Sequence, residues 1–385
     1  VNRYTANLNA TYNILTNLSL NLISSGSYRK QKAPGTLSQS TDPVSGEVKR
    51  DFDINPYSYA LNSSRAISAT EYYTRNYAPF NIFHELENNY MDINASDLKV
   101  QGELKWKILP NLEVTALGAM KYSSTSQEHI ITDFSNQAMA YRAMPTSSIR
   151  DQNPHLYRDP DNPYALPISI LPEGGIYECS DFRMLGYDFR GTISYNNVFK
   201  EKHIVNLFGG MESNYIDRQR KWIRGWGLQY SMGEVPFYAY QVFKKGAEEG
   251  TDYYSIAKGN IAFFANATYS YKGIYTLNGT IRYEGSNTLG KTHSSRWLPT
   301  WNISGAWNIH EEEFFKDWEP ALSHLSLKTS YSLTADRGPE SVTNSTAILS
   351  AYKPWRPTAS TGEMGLQVVN LGNSDLTYEK KHELN

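Results

Sequence analysis

From Tyr4 to Ile14 every second residue is apolar: Tyr4, Ala6, Leu8, Ala10, Tyr12 and Ile14 alternate with Thr5, Asn7, Asn9, Thr11 and Asn13. A period of two over that length predicts a long β-strand whose faces meet different surroundings. The pattern returns at Leu18–Tyr28, Leu98–Ile108, Leu112–Tyr122, Leu185–Tyr195, Val205–Tyr215, Ala257–Tyr271, Tyr275–Tyr283, Trp297–Ile309 and Leu325–Leu333. A last strand begins near Leu376. The chain thus reads as all-β, with about eleven antiparallel strands in a single domain over residues 1–385.

The connections alternate in length. Leu15–Asn17, Leu109–Asn111, Asn196–Lys202 and Lys272–Gly273 are short, and His310–Ala321 joins them as a compact, helix-like turn. Arg29–Asp97, Ser123–Met184 and Ile216–Ile256 are long, structureless stretches. Such loops argue against a compact soluble domain. They suit a transmembrane β-barrel, with short periplasmic turns at one end and long extracellular loops at the other. On this reading the loops around Asp42, Pro154 and Trp226 lie opposite Pro110.

Charge placement agrees. No Asp, Glu, Lys or Arg falls on the apolar face of these strands, whereas the opposite face carries Lys99, Glu103, Lys105, Glu113, Arg190, Lys258, Arg282, Glu284 and Lys328. A Lys or Arg on the lipid face costs about 2–4 kcal/mol at the bilayer midplane and little in a watery lumen. Tyr4 and Tyr12, Tyr187 and Tyr195, Tyr275 and Tyr283, and Trp297 and Trp307 sit near opposite ends of their apolar stripes, as two interfacial belts require. The 29 Tyr and 8 Trp supply them.

Composition excludes other classes. A formal net charge of -2 offers no electrostatic case for nucleic acid. No apolar run is long enough for a membrane-spanning helix. Cys179 is the one cysteine, so no internal disulfide forms. Bacterial single-chain barrels have an even number of strands and no unpaired edge, so the count predicts an interior portion of a larger barrel.

Candidate chemistry is sparse. His84-Glu85-Leu86-Glu87-Asn88 begins like a zinc-protease motif but lacks the second histidine. The RDPDNP stretch, with Asp159, Asp161 and Asn162, reads as a turn rather than a calcium loop. Cys179, in a loop with Glu173 and Asp181, has no nameable base and reads as a spectator. The Asn-x-Ser/Thr triplets at Asn9, Asn266, Asn278 and Asn302 fall within strands. No cofactor, metal site or catalytic group is expected. Lys99, Glu103, Lys105, Arg190, Arg282 and Glu284 are expected to face the lumen, as salt bridges, as contacts to a plug, or against cargo. The loop with Trp222, Trp226, Tyr230, Phe237, Tyr238 and Tyr240, and Trp355 elsewhere, offers rings for a sugar, a peptide or a lid protein.

The segment Arg282–Thr334 resembles the SusC/RagA family of TonB-dependent outer-membrane transporters. The matching stretches are RYEGSNTLGK (Arg282–Lys291), RWLPTWNISGAWNI (Arg296–Ile309), EEEFF (Glu311–Phe315) and LSLKTSYSLTADRG (Leu325–Gly338); NSDLTYEKKHELN (Asn373–Asn385) is similar to the following strand. Val1–Ser270 fits by rhythm more than by motif. The resemblance implies a 22-stranded barrel around an N-terminal plug in a bacterial outer membrane. It implies import of oligosaccharides or peptides energised through the TonB complex, and a SusD-like surface lipoprotein as lid. It admits a dimer of transporter–lipoprotein pairs. No recognisable plug, TonB-contacting segment or closing strands occur in this chain. Two other functions fit a β-rich chain with long loops: a barrel-based adhesion module without transport, and a secreted glycan-active enzyme with a carboxylate pair about 5–10 Å apart.

Overall fold

In the computed structural model the described residues are all except 36–38, 42–47, 51–60, 62–65, 67, 69, 160–161, 234–250, 289–291, 319–321, 337–346, 353–364 and 374–376. Eleven strands form one sheet in strict sequence order, each antiparallel to the next. They are β1 (Asn2–Leu15), β2 (Leu18–Pro34), β3 (Asn89–Leu109), β4 (Leu112–Ile131), β5 (Gly175–Phe199), β6 (His203–Leu228), β7 (Thr251–Tyr271), β8 (Tyr275–Ser286), β9 (Trp297–Asn308), β10 (Ser326–Asp336) and β11 (Glu379–Leu384). The sheet is open, with β1 and β11 at its edges.

The register carries one face across the sheet. Leu20 pairs with Leu104, Leu104 with Ala116, Ala116 with Gly191, Gly191 with Met211, Met211 with Phe263, Phe263 with Tyr283 and Tyr283 with Pro299. Directly opposed residues share a face, so the apolar stripes merge into one outer surface. Its large side chains stay exposed: Leu8 is 62%, Leu104 38%, Phe263 44% and Ile303 55% exposed. Among the described residues no protein layer covers this band, which suits a hydrocarbon solvent. Tyr12, Trp106, Tyr195, Tyr271, Tyr275 and Trp307 edge it toward the short turns. Tyr4, Tyr28, Tyr187, Tyr215, Tyr283 and Trp297 edge it toward the long loops. From one belt to the other the strands run nine residues at Tyr4–Tyr12, Tyr187–Tyr195 and Tyr275–Tyr283 and eleven at Trp297–Trp307, which at ~3.3 Å rise and ~40° tilt span about 20–25 Å, close to the height of a barrel's apolar band.

Tight hairpins close the short-turn end. In the Phe199–Lys202 and Tyr271–Ile274 turns both central residues have positive φ: Lys200 at 49° and Glu201 at 57°, Lys272 at 52° and Gly273 at 75°. That twist matches antiparallel strands. The expected compact turn between β9 and β10 is built from 3₁₀ segments at Ile309–Glu311 and Glu313–Trp318.

Two sequence expectations need correction. The strands outrun their alternation: β5 and β6 hold 25 and 26 residues, about 85 Å each. The stretches read as loops at Arg29–Asp97, Ser123–Met184 and Ile216–Ile256 therefore begin and end as paired strand. The ladder of β6 and β7 continues to Ile223 opposite Thr251. Above the lipid both faces meet water or loops, so hydrogen bonding persists where the apolar signal stops. Second, the described loop residues are not structureless. They include a hairpin of Tyr73–Arg75 with Ala78–Phe80, and helices α1 (Ile82–Asn88), α2 (Asn136–Ala140) and α3 (Ser147–Gln152). The last strand is described from Glu379 to Leu384, while Leu376, near which it was expected to begin, lies outside the described residues.

Candidate functional site

The inner face holds the polar chemistry. Lys99, Glu103 and Lys105 lie on it in β3, and Arg190, Glu212 and Glu284 lie on one rung across β5, β6 and β8. Arg282 Nη2 donates to Glu212 Oε1 at 2.6 Å and its Nε to Glu284 Oε2 at 2.8 Å. Arg190 lies over the Phe264 ring at 5.5 Å. Lys105 pairs with Glu113 at 3.0 Å and Lys121 with Asp188 at 2.6 Å. Of the predicted inner charges, Arg282 and Glu284 are thus brought together; Glu212 is the partner that sequence reading missed. Cross-strand placement, invisible in linear spacing, makes that contact.

Higher up, β6 places Arg218, Arg220, Trp222, Arg224 and Trp226 on the same inner face, because positions two apart share a face. Trp222 and Trp226 were expected in a loop; both lie in the strand. Arg224 Nε donates to Glu178 Oε1 at 2.5 Å, and its guanidinium lies 5.1 Å from the Trp222 ring and 5.9 Å from that of Trp226. Trp226 packs against a buried cluster of Ile131, Ala138, Leu171 and Ile176, edge-on to Tyr141 at 5.1 Å. The Tyr230 hydroxyl donates to the Ile176 carbonyl at 3.3 Å. These contacts make Trp226 and Tyr230 braces, while Trp222 stays half-buried toward the lumen. Tyr238, Tyr240 and Trp355, together with Phe237, lie outside the described residues. Cys179, expected in a loop, belongs to β5 and faces outward beside Ser126 and Asp181.

A knot of buried polar side chains, not anticipated from sequence, ties the long-loop segments together. Asn136 Nδ2 donates to the carbonyls of Arg75, Ala78 and Pro79 at 2.8, 3.1 and 3.0 Å. The Asn136 backbone N–H donates to Glu85 Oε2 at 2.8 Å. Asn89 Nδ2 donates to Glu85 and to Gln137, and His129 Nε2 bonds Asn89 Oδ1 at 2.7 Å. Gly35 packs so closely here that an added Cβ would fall 1.8 Å from Asn89 Oδ1. Asn81 caps α1 by accepting from the Phe83 and His84 N–H groups. Glu85 is 2% exposed, and burial pushes its carboxyl above the ordinary range despite the offsetting Asn136 and Asn89 bonds. The aborted zinc-motif segment is therefore a structural helix. Arg142 serves similarly, donating to the Leu171 carbonyl at 3.0 Å and to that of Gly174; burial lowers its guanidinium's affinity for the proton, partly offset by Asp133 and Glu173. Among the described residues, no group of three or more His, Cys, Asp or Glu is placed to hold a metal ion.

Known proteins give the same picture. No family model matches the chain. It is 29% identical over 209 residues to TonB-dependent receptor P39 of Formosa agariphila, covering 52% of this chain and 18% of that one. It is 22% identical over 215 residues to TonB-dependent receptor P26 of the same organism, covering 56% and 21%. The RagAB peptide transporter matches over 99% of this chain and 37% of its own, with TM-score 0.63 and 16% identity. The RagAB peptide importer in its open-open state also gives 0.63, at 18% identity. The chain thus spans about a fifth of the curated relatives and just over a third of the solved chains. With the lipid-facing band, the alternating turns and the polar inner face, these likenesses show the fold of the chain as eleven neighbouring strands of an outer-membrane β-barrel, similar to those of the TonB-dependent receptors and the RagAB transporter it matches.

Proposed function

We propose that the complete protein imports oligosaccharides or peptides across the outer membrane, driven through the TonB complex and lidded by a SusD-like surface lipoprotein. The supporting observation is the division of the sheet by height and face. A polar, ion-paired inner wall lies behind the lipid band. Above it stands a long extension whose loops are braced by the Asn136 knot and the Trp226 cluster. Bracing of that kind holds a vestibule in shape while its inner surface stays available to a solute. Trp222 is the described aromatic best placed to meet cargo, since Trp226 and Tyr230 are engaged in packing. Tyr238, Tyr240 and Trp355 remain candidate contacts to cargo or lid, and Lys99, Glu103, Lys105 and Arg190 candidate contacts to a plug or passing solute.

The test is growth of a deletion strain on candidate nutrients, complemented by the full gene with and without TonB. TonB-dependent growth with co-purification of a surface lipoprotein supports import. Ligand binding at the cell surface that persists without TonB, with no growth phenotype, would instead favour adhesion. Trp222→Ala should weaken uptake about 5- to 150-fold if its ring carries an aromatic contact of roughly 1–3 kcal/mol.

A further inference from the structure

The inner face of β6 carries two guanidiniums, Arg218 and Arg220, that meet no carboxylate among the described side chains. The described carboxylates around them are already engaged. Asp188 is held by Lys121 and Asn214. Asp97 accepts from the hydroxyls of Ser123 at 2.6 Å and Ser27 at 3.3 Å. Glu178 is taken by Arg224. Arg218 and Arg220, both exposed, have no carboxylate partner among the described residues; Arg220 lies over the Phe182 ring at 5.6 Å. Lys99, Lys121 and Lys258 occupy the rung just below Arg218, so this patch of wall is basic.

We propose that Arg218, Arg220 and Trp222 form a docking strip for an extended acidic peptide, with alternate carboxylates on the two guanidiniums and the next same-face side chain against the indole. This assignment rests on the import reading above and adds the cargo class. Three observations favour it. The three side chains recur every two residues, about 6.6–6.8 Å apart, which is also the same-face repeat of an extended peptide. Guanidinium meets carboxylate in a two-pronged geometry, and the strip holds two of them in series. Within β6, Trp222 is the described ring open to the lumen, because Trp226 is packed into the loop cluster; the neighbouring Phe182 ring of β5 lies beneath the Arg220 guanidinium. A run of sugars would call for successive open rings. Ser180, directly opposite Trp222 on β5, offers a hydroxyl to a bound backbone.

The experiment uses the full-length transporter purified in detergent and three fluorescent probes. One is an N-acetylated hexapeptide with Glu at positions one and three and Phe at five. The second is its Gln counterpart, and the third an oligogalacturonide of similar charge. The Glu peptide should bind at least tenfold more tightly than the Gln peptide, with the preference shrinking between 0.05 and 0.5 M salt. Arg218→Gln with Arg220→Gln should bring the two peptides within twofold of each other. Trp222→Ala should weaken both peptides alike. Arg282→Gln, which removes a cation already paired with Glu212 and Glu284, should leave the preference intact. Heat-dependent gel mobility verifies a folded barrel in each variant. Equal binding of the two peptides, absence of binding, or a preference that survives the double substitution would overturn the proposal. So would oligogalacturonide binding with the same arginine dependence at higher affinity, which would make the strip a site for anionic glycans. Cell uptake with and without TonB is scored separately: binding without TonB-dependent uptake would remove the import reading and leave the strip's ligand standing.

Discussion

Replacing Asn136 with alanine should loosen the loop assembly without unfolding the barrel. The Asn136 amide group is the shared donor for the carbonyls of Arg75, Ala78 and Pro79. The residue itself is 2% exposed, and so is Ala78. A side-chain amide has two N–H bonds, so at least two strong hydrogen bonds are lost and the third carbonyl loses a shared one. Leaving a buried acceptor unsatisfied costs about 1–3 kcal/mol, and some carbonyls will recruit water, so a net loss of about 2–4 kcal/mol is expected locally. At about 1.4 kcal/mol per decade that is a roughly 30- to 1,000-fold rise in the opening equilibrium. The bond from the Asn136 backbone N–H to Glu85 survives the substitution, so the effect isolates the side chain. Hydrogen exchange followed by mass spectrometry reads it directly. Amides of α1, including Glu85 N–H bonded to the Asn81 carbonyl at 2.9 Å, should exchange faster by that factor, while those of β3 near Leu104 keep their protection. Unchanged protection across residues 82–88 in a folded Asn136→Ala barrel would refute the claim that this knot holds the loops.

Other expectations address the faces and the buried acid. Leu104→Arg puts a cation in the lipid band and should impair assembly by about 2–4 kcal/mol. Lys105→Ala loses only an exposed ion pair with Glu113, worth about 0–1 kcal/mol; equal effects on the folded fraction in lipid vesicles would contradict the assigned faces. Glu85 has a folded pKa raised above its unfolded value, so its unfolded form ionises first as pH rises. The loop assembly should therefore be most protected below the ordinary carboxylate value and lose protection as pH climbs toward the raised one. Glu85→Gln should flatten that dependence and match the parent at acidic pH; a profile with the same slope in both proteins would show that another group governs it.

The lipid band was legible in the sequence because its physics is one-dimensional. Period two fixes the face, absence of charge fixes the solvent, and the register then propagates both across eleven strands. The belts at Tyr195 and Trp307, and the inner placement of Lys99, Lys105, Arg282 and Glu284, follow from the same rule. What lies above the membrane was not legible. Between Ile216 and Leu228 the strand loses its apolar signature because no lipid faces it, and the residues read as loop. The Asn136 knot joins positions more than fifty residues apart through polar side chains, which carry no periodic signal. Asn, Gln and Ser look like loop composition until a structure shows their partners. Glu85 illustrates the loss best: the sequence set aside a zinc role for it but offered no other, and its partners are Asn89 and the backbone of Asn136.

The central claim is that the short turns and the long-loop segments lie on opposite sides of an outer membrane. In the full-length protein, Cys179→Ser removes this chain's one thiol. Single cysteines then report Asn111, in the β3–β4 turn, and Tyr164, which is 96% exposed on the long-loop side. A maleimide carrying a polymer too large for porins is applied to intact cells and to cells with a permeabilised outer membrane. Labelling of Tyr164→Cys in intact cells, with Asn111→Cys reacting only after permeabilisation, is the predicted result. Labelling of both sites in intact cells, or of Asn111→Cys alone, would contradict the barrel as described.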